Sequence, residues 1–348
     1  MKNKLGLCLL FALGWVGQSL ALEPGHLRYS VRALGMGNAY LGVGTDSTAL
    51  YYNPAGLGLA KVWNFQVLNL EATGSDKLLE LAGGDLNSAL SNLAGHKVYG
   101  DVVVEASAGG PGFAVSTFNG GLLDLKVDNP VVPYAQFLAY TQRGTVLGFA
   151  GGTDWNWGLS LGQVTREGTS GSAHIMNLMD QAYIDGVTQN LETKTATLAN
   201  FGLLRPLKLG MFDEAHLAAV WRGGMDFGLA GQLKPQLDLG FAGKGVLVGM
   251  DWILAADWVD LNRANNPEGS YLSHLNLGTE LGAWSQPNGT PALALRAGFK
   301  GPYPCVGWTL NPPYLPLTLV YASWSEEIGT EAGDVQDSRK SLDLSINF

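Results

Sequence analysis

The sequence predicts an all-β chain: a transmembrane antiparallel β-barrel of about 12–14 strands, with an N-terminal plug and short helical inserts in its loops. Three observations lead to that class. Charged residues are 15% of the chain and glycine supplies 48 of 348 residues, against about 25% charged and about half that glycine share in ordinary soluble domains. After the first 21 residues no apolar run reaches the roughly 18 residues that a membrane helix needs. The longest candidate, Val246 to Leu261, is broken by Asp251, Asp257 and Asp260. The third observation is alternation: Leu342, Leu344, Ile346 and Phe348 interleave with Ser341, Asp343, Ser345 and Asn347. Successive side chains on a strand point to opposite faces, so one face is apolar and the other polar. Alternation alone also fits a soluble β-protein; an export signal and the glycine-rich stretch that follows it favour the barrel.

Met1 to Ala21 reads as that signal. Lys2 and Lys4 precede an apolar run from Leu5 to Val16, and Ser19-Leu20-Ala21 is a small-x-small cleavage site. Its removal takes away two lysines and no acid, moving the net charge from −9 to −11. An acidic chain is a poor partner for nucleic acid. Cys8 lies within the signal, so Cys305 is the one cysteine left and no intrachain disulfide is possible. The five histidines are scattered without metal-ligand spacing, and the expectation is no metal and no cofactor.

Residues 22–60 form the plug. From Arg32 to Leu59 the chain is crowded with glycine and small residues and shows neither helical nor strand periodicity, which suits unusual backbone angles and close approach. Asn53-Pro54-Ala55-Gly56 is a turn sequence. Gly35-Met36-Gly37 begins like a dinucleotide-binding loop, but Tyr40 stands at the third glycine position and no apolar strand leads in.

Residues 61–348 supply the barrel. Trp63 to Glu71 is the first strand. Ser75 to Gly95 reads as helical, interrupted at Gly83-Gly84. Asp101 to Ser107 and Gly112 to Phe118 pair through Gly109-Gly110-Pro111. Tyr134 to Gln142 and Thr145 to Thr153 read as a hairpin around Arg143-Gly144, followed by Trp157 to Thr165. His174 to Asn190 is a second helical insert, with Ile175, Leu178, Met179, Ala182 and Val187 on one face. The later strands are Thr195 to Leu204, His216 to Gly223, Phe227 to Leu233, Val246 to Trp258, Leu275 to Trp284, Pro291 to Lys300, Val306 to Leu310, Tyr314 to Trp324 and Ser341 to Phe348. Five prolines between Pro302 and Pro316 predict a loop or a distorted strand there. Glu326 to Lys340 is polar and reads as an extracellular loop.

Parity places the charges. Arg296 and Lys300 oppose Leu293, Leu295 and Phe299; Glu280 opposes Leu277 and Leu281; Asp251 and Asp257 oppose Trp252, Leu254 and Trp258. An arginine on the lipid face near the midplane costs about 2–4 kcal/mol, so Arg296 points inward. Asp251, Asp257, Glu280, Arg296 and Lys300 are the expected polar network of the lumen, with Glu280 and Asp251 as partners for Arg296.

Two motifs in order, S-x-R-A-L-G-M-G-N-A-Y (30–40) and D-S-T-A-L-Y-Y-N-P-A-G-L (46–57), resemble the N-terminal signature of the FadL-type outer-membrane proteins, hydrophobic-compound channels with an N-terminal hatch. L-A-A-D-W-V-D-L-N (254–262), L-N-L-G-T-E-L (275–281), L-R-A-G-F-K-G (295–301) and S-E-E-I-G (325–329) extend the likeness, which is strongest to the PorV/TraF-like members. The resemblance implies location in the bacterial outer membrane, in contact with its lipid. It implies passive uptake of a hydrophobic small molecule such as a long-chain fatty acid through an apolar pocket. The gate, carried over from the motifs, is Gly35, Gly37, Asn38, Asp46, Asn53, Pro54, Ala55 and Gly56. A chain ending on the aromatic Phe348 is similar to the signal read by the barrel-assembly machinery. PorV-like relatives imply the alternative, an accessory protein that handles a secreted protein partner. No G-x-S-x-G, no Ser/His/Asp cluster and no phosphate-binding loop is present, so the sequence does not read as an enzyme.

Overall fold

A sheet whose strands are apolar on one face and polar on the other exposes unpaired edges until it closes on itself. The structure, a computed structural model, is closed. It describes residues 26–83, 95–127, 134–174, 177, 180–265, 270–286, 290–329 and 332–348. The expected signal, residues 1–21, lies outside the described residues.

Fourteen strands make the wall, each antiparallel to both neighbours. They are β1 (Asn64–Ser75), β2 (Lys97–Gly110), β3 (Phe113–Val127), β4 (Tyr134–Gly152), β5 (Asn156–His174), β6 (Glu192–Leu207), β7 (Glu214–Arg222), β8 (Gln236–Leu247), β9 (Met250–Trp258), β10 (Leu275–Ser285), β11 (Pro291–Lys300), β12 (Tyr303–Leu310), β13 (Leu317–Glu327) and β14 (Gln336–Asn347). β1 and β14 close the ring, with Leu70 opposite Leu344 and Thr73 opposite Ser341. An even strand number, an apolar exterior and a polar-lined interior are the architecture of bacterial outer-membrane barrels.

The two ends differ. Residues 111–112, 153–155, 208–213, 248–249 and 311–316 turn the chain at one end, beside the start of β1 and the close of β14. Connections at the other end, such as 76–96, 223–235 and 259–274, are mostly longer. These are called the turn end and the loop end below. In outer-membrane barrels short turns face the periplasm and long loops the exterior.

The last strand shows the parity as expected: Ser341, Asp343 and Ser345 are buried and Leu342 and Leu344 exposed to the outside. On β11, Arg296 is buried while Leu295 is 58% exposed. Leu295 sits at the middle of its strand, so Leu295→Arg is expected to destabilise the barrel by about 2–4 kcal/mol, as a cation at the bilayer midplane does. Urea unfolding in lipid vesicles reads this; an unchanged midpoint would place that face away from lipid.

Several sequence expectations are corrected. Arg143-Gly144 is not a hairpin: β4 runs unbroken through it, Arg143 opposite Thr165 and Gly144 opposite Val164. On its outer face Phe149 and Leu147 give way to Thr145, Arg143 and Thr141. The polar pair marks where a 19-residue strand leaves the apolar band. Val246 to Trp258 is two strands, because the chain reverses at Val248 and Gly249, both at positive φ. The strand before that reversal, β8, had not been read. Phe227 to Leu233 is no wall strand; a short 3-10 turn, Gly228–Ala230, joins two-residue strands Met225–Asp226 and Gln232–Leu233. The proline-rich stretch contains a regular strand. Pro304 pairs with Phe299 on β11, while pairing with β13 begins only at Val306, so no ladder hydrogen bond needs its missing N–H. The loop expected over Glu326 to Lys340 is too wide: β13 runs on to Glu327 and β14 starts at Gln336. Of the helical inserts, α2 covers Asp76–Gly83 and α3 Gln181–Thr188. Residues 84–94, Ile175, Leu178 and Met179 lie outside the described residues.

Candidate functional site

Residues 26–60 lie inside the barrel. They begin the fold with α1 (Val31–Gly35), continue through a 3-10 turn at Ser47–Leu50, and end in another at Pro54–Leu59. Each turn starts on a residue able to cap it. Asp46 accepts from Thr48 N at 2.9 Å. Asn53 accepts from Ala55 N at 3.1 Å, and Pro54 opens the turn where no N–H is needed. Gly37 and Asn38 stand consecutively at φ 65° and 63°, the left-handed region that glycine and asparagine tolerate. Asn38 Oδ1 accepts from the Tyr52 hydroxyl at 2.7 Å, which itself accepts from Ser30 N at 3.1 Å, so one tyrosine ties three parts of the segment together.

The segment is bolted to the wall around the ring. Arg28 Nη2 contacts Glu71 at 2.9 Å on β1 and Glu105 at 2.8 Å on β2. Arg32 donates through Nε and Nη2 to Glu280 on β10 at 2.8 and 2.6 Å, and Arg296 on β11 reaches the same carboxylate at 2.5 Å. Asp257 on β9 accepts from Tyr40 N at 2.5 Å and Leu41 N at 2.9 Å. Asn53 Nδ2 donates to Leu203 O on β6 at 3.3 Å, and Ser160 on β5 donates to Leu50 O at 2.9 Å. His26 is partly buried, and desolvation, with Arg222 and Lys300 nearby, holds its imidazole below the ordinary value.

The wall meets the segment with glycine. A β-carbon on Gly278 would run into Met36 O, one on Gly158 into the Pro54-Ala55 peptide, and one on Gly307 would lie 2.9 Å from Gly35 Cα. On the segment, a β-carbon at Gly37 would strike the Phe299 and Leu277 carbonyl oxygens, and one at Gly56 the Gly44 carbonyl. Gly35, Ala55 and Pro54 are thus contact surfaces as much as turn formers.

The five expected lumen charges do not form one network. Glu280 and Arg296 are joined, with Arg32 as a third member. Asp257 serves backbone amides. Lys300 contacts Glu326 and sits 4.5 Å from the Trp324 ring centre. Asp251 is not a partner of Arg296; it accepts from Ser285 at the neighbouring strand's end. Sequence reading missed Arg28, Arg32, Glu71 and Glu105. Arg28 and Arg32 were visible as charges on a charge-poor segment and Glu71 and Glu105 as charges on strands, but their pairing spans up to 248 residues.

Two inner surfaces result. Toward the turn end lies a cavity of about 210 Å3, bordered by Arg28, Tyr40, Asn69, Arg296, Thr309 and Asp343. Each of those six has a buried polar atom without a protein partner, which makes it a space for water. The inner face of β3–β6 instead carries an apolar patch: Phe118, Leu138, Tyr140, Val146, Val164 and Leu198 are buried and join one cluster with Tyr51 and Leu57 of the segment, while Ser116, Gln142, Ser160, Arg166 and Asn200 are buried on the same face. Among the described residues no group of acidic, histidine or cysteine side chains has metal-binding geometry.

No protein-family model matches the chain, and no curated protein sequence does. Solved structures do match. The Ralstonia pickettii toluene transporter TbuX aligns over 92% of this chain and 97% of its own, with TM-score 0.52 and 11% identity. A Pseudomonas aeruginosa FadL homologue aligns over 93% and 99%, with TM-score 0.51 and 10% identity. The fold is that of the FadL-type channels.

Proposed function

We propose that the protein is a passive outer-membrane channel for hydrophobic small molecules, long-chain fatty acids or aromatic hydrocarbons, with residues 22–60 as the hatch that gates it. The observation that carries this reading is the apolar patch on the inner face of β3–β6. A water-filled pore is lined with polar groups and gives an apolar solute no favourable surface; an apolar wall removes that solute's surface from water. The segment now covers this face with Leu50, Tyr51 and Leu57, so a solute gains the wall only when the segment gives way. The toluene transport named for TbuX supports the same solute class.

The test is mass spectrometry of small molecules that co-purify with the barrel in mild detergent, wild type against Gly56→Val. The expected result is a stoichiometric apolar ligand, diminished in the variant, whose added methyls meet the Gly44 carbonyl. A ligand-free barrel that carries a secreted protein along with it would overturn the channel and leave the accessory role.

A further inference from the structure

Between β7 and β8 the chain turns inward instead of crossing the rim. Met225, Phe227, Ala230 and Leu233 are buried, and the reversal uses Gly228 and Gly231, both at positive φ. Gly223-Gly224 and Lys234-Pro235 flank this hairpin. Its tip reaches β4 and β5. The Arg166 guanidinium carbon lies 4.0 Å from the Tyr140 ring centre and 4.3 Å from that of Phe227. Arg166 Nη1 donates to Ala230 O at 3.3 Å and Nε to Gln142 at 3.2 Å, while Nη2 has no partner. The hairpin's underside, Met225 and Leu233, shares a gap of about 20 Å3 with His26 and Leu27 at the head of the inner segment and with Leu198 on β6.

Arg166 is held differently from other buried arginines. Arg28, Arg222, Arg296 and Arg339 each contact a carboxylate. Among the described residues no carboxylate hydrogen-bonds Arg166, which is wholly buried between two rings. Pulling apart a buried ion pair strands a charge on each side. Withdrawing Phe227 and Ala230 strands none, and the guanidinium gains water in their place. The hairpin's other polar attachments, Lys194 to Asp226 at 2.8 Å and Leu229 N to Glu192 at 2.6 Å, are exposed, so its polar seating is one that water can replace.

We propose that residues 225–233 are a second closure of the same path, an inward strap latched by Phe227 on Arg166, which lifts before a solute from the loop end reaches the hatch. Its purpose rests on the channel reading; its test does not. Leu198→Cys, in a Cys305→Ala background, places a thiol beneath the strap. A membrane-impermeant maleimide is applied from the loop end to proteoliposomes carrying this reporter alone, with Phe227→Ala, or with 225–233 replaced by a short Gly-Ser turn. Heat-modifiable migration confirms that each barrel is folded. Labelling is expected to accelerate at least about tenfold in both altered forms, as local opening exposes the site. Unchanged labelling in both overturns the strap. Acceleration with the replacement but not with Phe227→Ala overturns the Arg166 latch. A protein that labels as expected yet carries no hydrophobic dye across the vesicle wall would retain the strap and lose the channel reading.

Discussion

Gly37→Val is expected to open the barrel. The wild-type residue sits at φ 65° with the Leu277 and Phe299 carbonyl oxygens where a β-carbon would go. A β-branched side chain there meets a forbidden backbone angle and a rigid wall at once. Left-handed strain alone costs about 1–3 kcal/mol. About 2 kcal/mol placed wholly on the seated state shifts the seated-to-released ratio by about thirtyfold. Current through a planar bilayer should rise accordingly. Gly249→Val is the control: it has φ 77° but nothing within 4 Å of a new β-carbon, and it lies in a wall turn. It should carry the strain and keep the pore shut. Equal current from both variants, or from neither, would show that the seating of Gly37 does not hold the segment in place.

Glu280→Gln is expected to be the most destabilising single change in the interior. Two arginines share this carboxylate, Arg32 from the segment and Arg296 from the wall. Removing one partner of a buried pair costs about 3–5 kcal/mol because the remaining charge is left unpaired. The Arg32 side chain is 29% exposed, so water recovers part of its share and the lower end of that range applies. Urea unfolding followed by tryptophan fluorescence gives the number. Arg296→Gln added to Glu280→Gln should regain part of the loss, since it removes the stranded cation. A double variant no more stable than the single one would mean that packing, not charge, sets the cost.

Legibility in the sequence followed the range of the physics. Parity is local, and it placed Leu342 and Leu344 outside and Ser341 and Asp343 inside without any tertiary knowledge. It also placed Glu280 and Arg296 on the inner face of adjacent strands, where they meet. Glycine was the main source of error, because it carries two meanings. Gly144 reads as a turn residue, yet it lies within β4 beneath the Phe118 ring. Gly158, Gly278 and Gly307 read as nothing in particular, and they are where the wall makes room for the inner segment. The missed β8 carried its own signal: Leu237 and Leu239 are exposed and Gln236 and Asp238 buried. The inward course of residues 225–233 had none, since its partner Arg166 lies on β5, two strands around the ring from β7.

The pairing of β1 with β14 has a consequence for how the molecule comes into being. The wall is complete only when Asn64–Ser75 meets Gln336–Asn347, contacts of very high sequence separation, and such contacts make folding slow. The segment to be enclosed is synthesised before every part of its enclosure. Closing β1 on β14 around the segment avoids threading it into a finished cylinder. Its attachments divide accordingly. Arg28 finds Glu71 and Glu105 in the first hairpin to be made, whereas Asp257, Glu280 and Gly307 arrive in the last third of the chain. Docking on the early pair would keep the segment in position until the later strands arrive to lock it. Arg28→Gln should then slow the yield of closed barrel during refolding more than it lowers the stability of barrels already formed.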